Sequence, residues 1–88
     1  MIWTDDARET IEDLLTALPL PVRDGVQQCA ETRAEALASD AGAARIPTEL
    51  AVRAFIECTP ADLRERLKHP LSYRGLDPDD FDAAFSAP

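Results

Sequence analysis

The chain has 88 residues, enough for one domain, and a domain of that size buries only about 60% of the surface its unfolded chain exposes, so the core is thin. Nine Lys/Arg stand against 17 Asp/Glu, giving a net charge of −8 that repels phosphate backbones and anionic lipid headgroups. Nucleic acid and membrane surfaces are therefore excluded as partners, which leaves a basic protein partner or plain solubility in an acidic or salty cytoplasm.

The apolar fraction is 45%, mostly Leu, Ala, Val and Ile, with five aromatics: Trp3, Phe55, Tyr73, Phe81 and Phe85. Such a composition favours helix, because these side chains lose little freedom there. No run alternates apolar and polar residues with β-branched content, so strands have no support and the expected fold class is all-α. Three main helices form the expected bundle, joined by two shorter C-terminal ones. Residues 1–58 make up the helical domain, and 59–88 form a helical extension that packs on it or on a partner.

Thr4, Asp5 and Asp6 supply capping oxygens and negative charge where a helix start needs them. Ala7, Ile11, Leu14, Leu15 and Leu18 then recur at helical spacing and form one apolar stripe. Pro19 ends this helix, and Pro21 suits the first position of the next. Val22, Val26, Cys29, Ala30, Arg33 and Leu37 define the second apolar face, with the Arg33 head expected to reach a carboxylate or water. Gly25 in this helix costs about 1 kcal/mol relative to Ala, and is either a close approach by the first helix or simple tolerance. Gly42 suits a left-handed helix end.

Thr48 is the expected cap of the third helix, whose Leu50, Ala51, Val52, Ala54, Phe55, Ile56 and Cys58 leave few polar positions. A helix apolar over most of its circumference belongs at the centre of a bundle. Thr59-Pro60 opens a fourth helix, which Pro70 stops, and residues 71–76 read as a loop. Asp77-Pro78 opens a short last helix carrying Phe81, Ala84 and Phe85.

Candidate chemistry is sparse. Cys29 and Cys58 have no neighbouring Cys or clustered His for metal ligation, and on apolar helix faces they act as small hydrophobes; their redox state stays open. His69 is the one histidine, explained by the favourable dipole of a helix end. The acids Asp77, Asp79, Asp80 and Asp82 fail the calcium-loop pattern, having Asp82 where the sixth position needs Gly and Pro88 where the twelfth needs Glu. No catalytic, cofactor-binding or metal residue is expected. The start Met1-Ile2-Trp3-Thr4-Asp5-Asp6 lacks the basic and apolar regions of a signal peptide, and no segment approaches the roughly 20 apolar residues of a membrane span. The expected location is cytoplasmic.

The order Trp3, Ala7, Leu14, Leu15, Leu18, Pro19, Val22, Arg23, Val26, Glu31 and Ala34, then Thr48, Glu49 and Leu50, resembles a known helical domain. It is similar to the small C-terminal domain of the B subunit of light-independent protochlorophyllide reductase, over roughly residues 3–58. Asp24 and Gly25 depart from the usual basic pair, Arg33 from an aromatic, and the link from Ala38 to Arg45 is longer. The resemblance implies an accessory role in (bacterio)chlorophyll biosynthesis or photosynthesis, without catalysis by this chain. The implied partner is a subunit of a nitrogenase-like tetrapyrrole reductase, or a photosynthetic complex, with contact to a protochlorophyllide-like pigment. A plain protein-interaction module, or a minor subunit of a larger complex without pigment, is the alternative. The interaction candidates are Trp3, as a staple on the first helix or a flat surface for a ring, Leu20 and Arg23 in the stiff turn, and Phe81 and Phe85 as an exposed end.

Overall fold

A computed structural model describes residues 2–87. It is an all-α fold of five helices: α1 (Asp5–Thr16), α2 (Leu20–Asp40), α3 (Thr48–Cys58), α4 (Lys68–Tyr73) and α5 (Asp82–Phe85). Two 3₁₀ segments, Ala61–Leu67 and Pro78–Phe81, lead into α4 and α5. One feature departs from the expectation of no strands. β1 (Ile2–Trp3) and β2 (Arg45–Ile46) pair in parallel, Ile2 opposite Arg45 and Trp3 opposite Ile46. Each strand has two residues, too few to leave a period-two signature.

The helix ends follow the chemistry of their residues. Thr4 caps α1, its Oγ1 accepting from the Ala7 amide at 3.1 Å. Gly42, at φ +69°, closes α2: its own amide donates to Ser39 and the Ala43 amide donates back to the Ala38 carbonyl at 2.9 Å. Gly75, at φ +81°, closes α4 in the same way, with the Leu76 amide on the Leu71 carbonyl at 2.9 Å. This corrects the loop expected over residues 71–76. Pro70 does not stop a helix, because it stands third in α4, in the first turn, where no amide is needed. Thr48 is not the cap of α3 either. Pro47 holds that position, and the Thr48 hydroxyl donates to the Asp6 carboxylate instead.

As its composition requires, α3 is central. Ala51, Val52, Ala54, Phe55 and Ile56 are fully buried, and the helix packs on α1, α2 and α5. Opposite it, α2 presents Val26, Ala30, Ala34 and Ala38, a ridge four residues apart whose small side chains let the two helices approach. Cys29 is not on this ridge. It is exposed, contrary to the apolar-face reading, and forms a disulfide with Cys58 at the end of α3, the Cα atoms 5.8 Å apart. Leu67, Leu71, Phe81 and Ala84 join the same buried cluster as α1 and α3, so the segment after α3 folds back onto the bundle. No helix among the described residues is long and apolar enough to cross a membrane.

Candidate functional site

A concavity of about 610 Å³ opens where the start of α1 meets the start of α3 and the segment after α4. Its lining includes Asp6, Thr48, Glu49, Leu76, Asp77, Asp80 and Phe81. Three local features build it. The Thr48 hydroxyl on Asp6 joins α1 to α3. The left-handed Gly75 turns the chain so that Leu76 faces inward, half-buried beside the buried Phe81. Asp77 then starts the 3₁₀ segment, its Oδ1 accepting from the Asp79 amide at 2.9 Å. The result is an apolar floor rimmed by carboxylates.

A second hollow of about 280 Å³ continues from it, sharing Asp6 and Leu76 and adding Thr10, Tyr73 and Arg74. A third, about 300 Å³, shares Tyr73 and adds Asp13, Thr16, His69 and Pro70. Asp6, Thr10, Asp13 and Thr16 lie at steps of four and three along α1, so one helix face forms a common wall. Arg74 reaches across to it, with Nη2 at 3.4 Å from Asp6 and 3.9 Å from Glu9, and Nη1 on Asp13. Its guanidinium is held even more firmly protonated than usual, first by the hydrogen bond to Asp13, against some desolvation, then by the charges of Asp13 and Asp6. Along this cleft Asp6, Glu9 and Asp13 thus face the Arg74 guanidinium, while Glu49, Asp77 and Asp80 join Asp6 around the larger concavity. Tyr73, 85% exposed, stands as a ridge between the two smaller hollows.

The residues expected to interact are scattered. Trp3 is half-buried and lines a separate hollow of about 270 Å³ with Arg8, Ile11, Glu12, Leu15, Gln27 and Glu31. Trp3 precedes the cap, where one half of a hydrophobic staple stands, but the fourth residue of α1 is the charged Arg8, so the apolar partner of a staple is missing. Leu20 is 74% exposed at the start of α2. Among the described residues Arg23 pairs with no acid; its Nε donates to the Leu18 carbonyl at 2.8 Å and Nη2 to the Thr16 carbonyl at 3.3 Å, covering the open end of α1. Phe81 and Phe85 do not form an exposed end. Phe81 is buried in the core, and Phe85 is half-buried with the Lys68 ammonium 5.5 Å from its ring centre. Both pack against the bundle because the segment after α3 folds back onto it, a long-range return that local sequence does not show.

Sequence reasoning missed two further polar residues. Arg64 is 5% exposed and donates to four backbone carbonyls: Nε to Thr59 (2.9 Å), Nη2 to Glu57 (3.2 Å), and Nη1 to Phe85 (3.2 Å) and Ala87 (2.5 Å). It ties the end of α3 to the end of the described chain. Glu57 lies between Arg33, at 3.0 Å, and Arg53, at 3.6 Å, beside the disulfide. Among the described residues, no group of three or more His, Cys, Asp and Glu is arranged to hold a metal ion. No family model matches this chain, and no curated protein or solved structure matches it either.

Proposed function

We propose that this chain is a protein-interaction module whose docking surface is the acidic cleft along α1, and whose partner presents a basic, amphipathic segment. The observation that carries the reading is the cleft's lining: a carboxylate rim over Leu76 and Phe81, on a chain of net charge −8. Lysine or arginine heads would meet the rim while apolar side chains cover the floor. Opposite charge steers such a segment in, and the apolar contact sets how long it stays. Catalysis is no part of this role.

The reading implied by the resemblance, an accessory of a tetrapyrrole reductase, rests on the turn from Leu18 to Val26. There Leu18 and Val26 are buried and Arg23 covers the end of α1, so joining two helices accounts for them, and Leu20 is the exposed large apolar residue that could touch a partner. Titration with protochlorophyllide tests it, since pigment binding would shift the chlorin absorbance.

For the cleft, the test is binding of a labelled peptide of alternating Lys and Leu, read by anisotropy at about 150 mM salt, where distant charges are screened. The double variant Glu49→Lys/Asp80→Lys should weaken binding about tenfold or more, by reversing charge at the rim. The variant Asp24→Lys/Glu35→Lys, which changes the net charge equally on the exposed side of α2, should stay within about twofold. Equal losses in both would mean that net charge alone attracts the peptide, and would sink the cleft.

A further inference from the structure

We propose that the Cys29–Cys58 disulfide is a thiol–disulfide exchange site, opened in the folded protein by a dithiol that attacks Cys29 Sγ. The two ends of the bond are unequal. Cys58 closes α3 and is half-buried, whereas Cys29 lies on the solvent side of α2 and is exposed.

The surface around Cys29 is open to an approaching thiolate. Gly25, Gln28, Cys29, Thr32, Arg33 and Ala36 line a shallow depression of about 560 Å³. Gly25 lies one helical turn before Cys29, and a Cβ built there meets nothing within 4 Å. The glycine therefore serves no close helix approach, and its effect is to leave the sulfur uncovered on that side. Arg33, one turn beyond Cys29, lines the same depression but is half exposed and turned aside to Glu57 at 3.0 Å, so it does not close over the sulfur. Exposed disulfides with such access are the labile ones, unlike those enclosed by a core.

The exchange balances as two displacements. A thiolate of the dithiol attacks Cys29 Sγ, the Cys29–Cys58 bond breaks, and Cys58 leaves as a thiolate that takes a proton from water. The dithiol's second thiol, once it has lost its proton to water, attacks its own sulfur in the mixed disulfide and expels the Cys29 thiolate, which is then protonated. The dithiol leaves as a disulfide, and its two electrons reside on the reduced cysteines. Exchange leaves α2 held to α3 by its buried ridge of Val26 and three alanines alone.

The test uses the intact chain and dithiothreitol at neutral pH without denaturant, following alkylatable thiols by mass spectrometry. Reduction should proceed at a rate that sub-denaturing urea leaves within about twofold. Gly25→Leu, which covers the sulfur, should slow it about fivefold or more, while Gly25→Ala, which adds helix stability without cover, should stay within about twofold. Both variants retain the disulfide and its fold. A rate that climbs steeply with urea, that falls equally in the two variants, or that changes in neither would overturn the proposal, because attack would then require unfolding or would not pass over Gly25.

Discussion

Arg64 shows how one residue can carry a tertiary junction. Among the described residues its guanidinium is buried without a carboxylate partner, and its four hydrogen bonds go to backbone carbonyls, two at the end of α3 and two near the end of the described chain. Carbonyls at a helix end carry partial negative charge, so they suit a buried cation. Arg64→Met keeps the apolar stem and removes the donors, leaving buried carbonyls unpaired. It should cost about 2–4 kcal/mol in denaturant unfolding, given about 1–3 kcal/mol for each unsatisfied group and partial relaxation. Arg66→Met, two positions along on the exposed side, should stay within about 0.5 kcal/mol. Sequence could place Arg64 at a helix but not in the core, because two of its partners lie 21 and 23 residues further on. The Thr4 cap was legible for the opposite reason: it bonds three residues ahead, within reach of a local pattern, whereas Thr48 bonds across to Asp6 and does not cap α3.

At the scale of elements, the three long helices were readable from apolar spacing and proline punctuation, and α3 was readable as the central one. The second half was less so. Pro70 carries the same local signal whether it stops a helix or sits in the first turn of a new one, and only the buried Leu71 and the Gly75 closure distinguish the cases. The ridge of α2 also differs from the expected face, since alanines every fourth residue bury against α3 while Cys29 turns outward. Pairing of α2 with α3 therefore leans on the disulfide, which joins residues 29 positions apart. In the chain-entropy account, closing a loop of this length contributes about 3–4 kcal/mol. That is a large share of the roughly 4–13 kcal/mol expected for a chain of this size. Complete reduction should therefore lower the thermal midpoint by roughly 12 °C or more, measured by circular dichroism with and without reductant. An unchanged midpoint would mean that the alanine ridge alone seats α2. Spacing left the pairing of these cysteines open because it depends on how two helices cross.

The whole molecule is one body. Its Cα radius of gyration is 11.8 Å, close to the ~12 Å expected for a compact chain of this length. The acidic cleft arises only at this scale. Asp6 and Thr48 are 42 residues apart, and Arg74 reaches Asp13 across 61. No sequence window contains the cleft, although its ingredients, the excess acid and the Asp-rich start of the last turn, were plain from the beginning. Because the Arg74 pKa is raised, first by the hydrogen bond to Asp13 and then by neighbouring carboxylate charge, its contribution is present at neutral pH and is lost in strong alkali as pH passes the raised value. The wall it braces therefore persists throughout neutral pH. The most direct measurement of the docking claim is amide chemical-shift mapping during titration with the alternating Lys–Leu peptide. The account predicts saturable shifts concentrated at Asp6, Thr48, Glu49 and residues 75–81. Shifts spread evenly over the acidic surface, or centred on Leu20 and the turn before α2, would contradict it.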